Sequence, residues 1–187
     1  MKRDWTDLIY LLQGTPRQKA AYSILAEILP KLSAFDPVLT GTIPLNIDVP
    51  DSDLDIVCYT PDLEKFKRVL TENFGHFQNF ILTQSIIDEL PTVIVRFERN
   101  NFAFEIFGQS RPVIRQKAFR HMIVEARLLQ YGGEKIRQQI RQLKQTGLKT
   151  EPAFAIAFNL TGDPYQTLLE LSDLPAEELY QTIFNKT

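Results

Sequence analysis

The sequence predicts an α+β protein, a mixed β-sheet flanked by helices and followed by a C-terminal helical layer. Three observations predict it. Runs rich in β-branched and aromatic residues cluster between positions 37 and 107. Apolar residues at three- and four-residue spacing precede and interrupt those runs, at 16–33 and 61–73. Beyond Pro112 the strand texture stops and every segment reads as helix. With 187 residues, 44% of them hydrophobic and thirteen of them Phe, the chain can bury a substantial core.

In chain order, Pro16 suits a first helical turn, and Ala20, Ile24, Leu25, Ile28 and Leu32 mark one face of a helix over 16–33. Pro30 terminates or kinks it. Residues 37–42, ending in Gly41-Thr42, read as a short strand and turn. The proline- and aspartate-rich stretch 43–52 is irregular, and 53–59 is a strand. A helix over 61–73 has Thr60 as its expected cap and Pro61 at its first position. Strands follow at 77–87, 91–98 and 102–107, the last two joined by the turn signal Arg99-Asn100-Asn101. Helices are expected at 113–131 and 134–146, broken by Gly132-Gly133, and at 150–160, 164–171 and 175–184. This organisation divides into an α/β core over 1–110 and a helical extension over 111–187.

Composition narrows the functional classes. A net charge of −2 argues against a coat for long nucleic acid, whose binding rests on many Lys and Arg contacts. The single cysteine, Cys58, excludes an internal disulfide. The N-terminal run lacks the apolar core of a signal peptide, and no stretch reaches the ~20 apolar residues of a membrane helix. A cytoplasmic protein with no membrane partner is the expectation.

The chemistry concentrates in three acids. Asp53 and Asp55 stand two apart in a strand, so both face one side, with Leu54 and Ile56 on the other. Two carboxylates on one face repel unless a cation or proton lies between them. Such hard oxygen ligands suit Mg²⁺ together with phosphates and water. Glu105, in Phe104-Glu105-Ile106, shares a face with Ala103 and Phe107. An ion pair with Arg96 across the hairpin is the alternative reading of that glutamate. Gly41 permits close backbone approach to a ligand, while Thr42 and Ser52 offer hydroxyls to a phosphate. Arg111, Arg115, Arg120 and Arg127 follow soon after Glu105, and arginine clamps triphosphates well. His121 reads as a satisfied histidine rather than a ligand. The phenylalanines at 102, 104, 107, 154 and 158 are expected in the core.

The order of helix, strand with Gly41-Thr42, a ten-residue spacer, Asp53-Leu54-Asp55-Ile56 and a later Glu105 resembles the nucleotidyltransferase superfamily typified by DNA polymerase beta. The stretch from Phe104 to Leu129 is similar to an uncharacterised branch, domain of unknown function 4269. The resemblance implies a nucleotidyltransferase-like sheet and transfer of a nucleotidyl group from a nucleoside triphosphate. Its cofactor would be Mg²⁺ or Mn²⁺, and the acceptor a small molecule, a protein or another hydroxyl or phosphate. By the same resemblance Asp53, Asp55 and Glu105 hold metal and perform catalysis, and Gly41, Thr42 and Ser52 cradle phosphates. The spacer Ile43-Pro44-Leu45-Asn46 departs from the arginine-containing run of many small members. A catalytically inactive module that binds a nucleotide or protein partner is the alternative expectation.

Overall fold

A computed structural model describes residues 4–184. The described chain is α+β, with one five-stranded mixed sheet and six α-helices. It divides into two compact units, one of residues 4–46 and 52–116, the other of 47–51 and 117–184.

The first unit carries the sheet. Its strands are β1 Val38–Thr40, β2 Leu54–Tyr59, β3 Gln78–Ile87, β4 Leu90–Arg99 and β5 Phe102–Gln109, in the order β1-β2-β5-β4-β3. Strands β2 and β5 run parallel, and the remaining pairs are antiparallel. The β4–β5 hairpin turns on Asn100 and Asn101, at φ 50° and 62°. Positive φ at both central residues matches the right-handed twist of the strands, and asparagine tolerates it. The β3–β4 hairpin turns in the same way on Asp88 and Glu89.

Two helices belong to this unit, α1 Pro16–Ile28 and α2 Leu63–Phe74. Thr15 and Gln18 form a reciprocal capping box at the start of α1. The helix expected over 16–33 is α-helical only to Ile28 and tightens into a 3₁₀ helix over Leu29–Phe35. Pro30 has no N–H to continue the α ladder, which accounts for the change. For α2 the cap is Asp62, whose carboxylate accepts from the Lys65 N–H at 2.9 Å, and not the expected Thr60. Thr60 instead extends the β2–β5 pairing, donating its N–H to the Gln109 carbonyl.

One face of the sheet is dry. Leu54, Ile56, Cys58, Phe104, Ile106, Val93, Val95 and Phe97 form a core with Ile24, Leu25 and Ile28 of α1 and Phe66, Leu70 and Phe74 of α2. Phe97 lies stacked between Phe74, at 5.3 Å, and Phe104, at 4.8 Å. Burial, with the charge of Asp36 adding to it, pushes the Cys58 thiol far above its ordinary pKa, so this cysteine is no nucleophile. Phe102 and Phe104 are core residues as expected, whereas Phe107, on the opposite face of β5, is only half-buried.

The second unit is helical: α3 Lys117–Gln145, α4 Thr150–Ala157, α5 Pro164–Ser172 and α6 Ala176–Phe184. Gly133, at φ 65° and ψ −163°, breaks α3 in two where the Gly132-Gly133 pair predicts it. Phe154 and Phe158 are buried here, with Met122, Val124, Leu128, Leu168 and Leu179. No described helix is long and apolar enough to cross a membrane.

Candidate active site

The opposite face of the sheet carries the acidic residues. The pairing register places Thr40, Asp55, Glu105, Arg96 and Ile81 in one row across all five strands. Directly paired residues point to the same side. Asp55 and Glu105 are therefore neighbours on adjacent strands, about 4.8 Å apart along the row. Asp53 lies one residue before β2, half-buried like Asp55.

Gly41 follows β1 directly and adopts φ +77°. A Cβ placed on it would lie 2.2 Å from Asp55 Oδ2. The glycine is thus required twice, for its left-handed backbone and for the room its missing side chain leaves to the Asp55 carboxylate. Thr42 and Ser52 close the two ends of the spacer. The Thr42 hydroxyl donates to Ser52 Oγ at 3.2 Å, and both residues are buried. Between them Ile43 enters the core, and the chain turns through Leu45 N–H to the Thr42 carbonyl and Asn46 N–H to the Ile43 carbonyl. The apolar residue that stands where the family pattern carries a more polar run is thus an anchor for the loop.

Two residues that the sequence reading passed over hold this spacer. Arg17 Nη2 donates to the Ser52 carbonyl at 2.6 Å, and its guanidinium lies 4.7 Å over the Phe102 ring. Gln18 Nε2 donates to the Ile43 carbonyl at 2.8 Å while its Oε1 accepts from the Thr15 N–H. The Thr15-x-x-Gln18 spacing is a capping-box signature and was the available signal for Gln18. Arg17 has no comparable signature.

Glu105 is engaged by Arg96, whose Nη2 donates to Glu105 Oε2. Among the described residues no group of three or more Asp, Glu, His or Cys side chains is gathered so as to hold a metal ion. The backbone thus aligns Asp55 and Glu105, and the Glu105 side chain turns along the row to the guanidinium. Asp53 and Asp55 are oxygen donors of the kind a hard divalent cation takes, and Asp55 Oδ2 occupies the space that a side chain on Gly41 would fill.

The arginines expected at phosphates have varied placements. Arg111 bonds the β3–β4 turn, through Asp88 Oδ2 at 3.4 Å and the Asp88 carbonyl at 3.2 Å. Arg115 is exposed on a short 3₁₀ turn, Val113–Arg115. Arg120 and Arg127, read from the sequence as triphosphate clamps, are instead caps within the helical unit. Arg120 donates to the Leu169 carbonyl and Ser172 Oγ and pairs with Asp173, and Arg127 donates to the Leu174 carbonyl. Both satisfy carbonyls at or just past the end of α5, where cations are favourable. His121 is buried between the Tyr165 carbonyl, 3.0 Å away, and Glu151, 3.2 Å away, as a satisfied histidine should be.

Comparison with solved structures places this architecture among nucleotidyltransferase folds. The Cid1 poly(U) polymerase, bound to Mg and 3′-dATP, superposes with a TM-score of 0.54 and 12% identity, covering 84% of this chain and 49% of that one. The GLD-2/RNP-8 complex matches at 0.51 and 15% identity, over 95% of this chain and 68% of that one. A cytoplasmic RNA terminal U-transferase matches at 0.51 and 12%, over 84% and 47%. These identities speak for the fold alone, and the chain spans about half the length of the Cid1 and U-transferase chains. No curated protein matches the sequence. The family model described as Domain of unknown function (DUF4269) matches residues 24–171, most of the sequence, and the chain belongs to that family.

Proposed function

We propose that this protein is a nucleotidyltransferase that uses Mg²⁺ or Mn²⁺ to transfer a nucleotidyl group from a nucleoside triphosphate, such as ATP, to a hydroxyl or phosphate of an acceptor. The observation that carries the reading is the Gly41 recess against the Asp55 carboxylate, in a fold shared with polymerases of this type. Asp53 and Asp55 would hold the divalent ion. When bound, that ion neutralises phosphate charge and aligns the triphosphate. The Gly41-Thr42 backbone and the Ser52 hydroxyl would receive the phosphates, with Arg111 and Arg115 as further candidates. Glu105 would take the proton of the acceptor hydroxyl as its oxygen bonds to the α-phosphorus and pyrophosphate leaves. The small net negative charge favours a small-molecule or protein acceptor over a long nucleic acid. The chemistry would reside in 1–110, with 111–187 as an extension.

Transfer of label from α-labelled triphosphates, in wild type and in Asp53→Asn and Asp55→Asn variants, tests the reading. Turnover by wild type and its loss in both variants is the expected result. Metal-independent labelling that survives both substitutions would refute it. The Arg96–Glu105 pair favours a second reading, a module that binds a nucleotide or a protein partner without turnover. Thermal stabilisation by triphosphate and Mg²⁺ with no transfer to any acceptor would select that reading.

A further inference from the structure

The sheet row extends beyond the carboxylates to a cation. Arg96 is the register partner of Glu105, on the strand next outward from Asp55 and Glu105. Among the described strand residues that share this face, Arg96 is the cationic side chain. The neighbouring arginines Arg99 and Arg111 are engaged elsewhere, with Glu27 and Asp88. The Arg96 side chain is 53% exposed, and Nη2 is the nitrogen that bonds Glu105. A guanidinium has five N–H donors in a planar fork, so Arg96 has donors beyond the one that bonds Glu105. Beside it Ala103 and Ile81 are exposed and Ile94 and Phe107 half-buried, an open apolar floor on the same face.

We propose that Arg96 binds an oxyanion of the acceptor, a phosphate or a carboxylate, and that this binding releases Glu105 to the metal. The inference rests on the proposed nucleotidyl transfer and names the class of acceptor for it. A planar fork prefers a bidentate oxyanion to a single carboxylate oxygen. An anion that draws Arg96 away leaves Glu105 uncompensated beside Asp55, one strand closer to the metal position. A divalent cation then gains a third oxygen ligand. Anion and metal therefore help each other to bind, by the same factor in either direction. A half-exposed ion pair is weak, so opening it should be worth about two- to fivefold in affinity.

Mn²⁺ binding followed by electron paramagnetic resonance on the full chain provides the test. Titrations are made at constant ionic strength in chloride, in methyl phosphate and in acetate. In wild type we expect Mn²⁺ to bind about two- to fivefold more tightly with the favoured oxyanion. The methyl phosphate and acetate arms distinguish a phosphate-bearing from a carboxylate-bearing acceptor. Arg96→Gln should bind Mn²⁺ more tightly in chloride by a similar factor and respond to neither anion. Arg96→Lys, which keeps the charge and loses the fork, should respond weakly. Equal Mn²⁺ affinity in wild type across all three media overturns the proposal, even if Asp55→Asn shows that Asp55 binds the metal. Mn²⁺ affinity unchanged in Asp55→Asn overturns the assigned metal site and this proposal with it.

Discussion

Replacing Gly41 with alanine is the most direct perturbation of the proposed centre. The added Cβ would lie 2.2 Å from Asp55 Oδ2 and 3.2 Å from its Cγ. Ordinary contact begins near 3.4 Å, so the carboxylate must retreat by roughly 1 Å. The backbone at φ +77° adds about 1–2 kcal/mol of strain for any residue with a Cβ. Mg²⁺ holds its oxygens near 2.1 Å in a demanding octahedron, and a ligand displaced by 1 Å no longer serves. Gly41→Ala should therefore lose about 1–2 kcal/mol of stability and all stabilisation by triphosphate with Mg²⁺. Gly147→Ala is the control, because Gly147 has φ +93° with nothing within 4 Å of its virtual Cβ. That variant should show the strain and keep the ligand response. Thermal unfolding with and without triphosphate and Mg²⁺ reads both quantities. A Gly41→Ala protein that retains the full ligand-dependent shift would refute the assignment of Asp55 as a metal ligand.

Three further outcomes are expected. Glu125 is buried on α3, and burial, with the charge of Glu151 adding and Lys144 opposing, holds its pKa well above the ordinary value. Between about pH 4.3, where the unfolded carboxyl titrates, and the raised folded value, the folded chain binds one more proton than the unfolded chain. Stability therefore falls as pH rises through that window, by up to about 1.4 kcal/mol per unit, and Glu125→Gln should remove the slope and be the more stable protein at pH 7 in urea titrations. Phe97→Ala opens the stack between Phe74 and Phe104 and should cost about 3–5 kcal/mol in the same measurement; a cost under 1 kcal/mol would show that the core closes over the gap. Glu105→Gln should change stability by no more than about 1 kcal/mol, since its pair with Arg96 is partly exposed. It should lower turnover by about 10²–10⁴ while leaving triphosphate binding in place, and undiminished turnover would remove Glu105 from the chemistry.

The sequence made the sheet legible because alternation determines which side a residue faces. The Asn100-Asn101 turn placed Arg96 across the hairpin from Glu105, whereas the pairing of Asp55 with Glu105 is set by the parallel β2–β5 contact and was not legible in the sequence. The Gly132-Gly133 pair located the break in α3, because the left-handed φ of Gly133 is one that glycine adopts readily. Sequence reasoning failed where two local signals compete. Thr60 and Asp62 are both good caps flanking Pro61, and the strand claimed Thr60 by pairing its N–H with Gln109. It failed also where partners are remote in sequence. Arg17 and Ser52 are 35 positions apart, and Arg120 lies about 50 from the helix end it caps. Helical spacing gives no indication that remote carbonyls would satisfy these arginines.

The same distinction bears on Glu105. Strand register dictates where its Cα lies, and the half of that register that faces Arg96 follows from the hairpin turn. Whether its carboxylate serves Arg96 or a cation beside Asp55 is a competition in which the partly exposed ion pair contributes at most about 1 kcal/mol. A gap so small is reversed by any ligand that prefers one arrangement by a few kcal/mol. In the proposed reaction, triphosphate and divalent cation would supply negative and positive charge at the Asp55 end of the row, and an acceptor anion would draw Arg96 from the other end. The ion pair and the catalytic reading are thus compatible as two states of one row of side chains. Arg96 is then the residue whose removal should make the metal site more available and the anion irrelevant, an outcome that a purely structural ion pair does not produce.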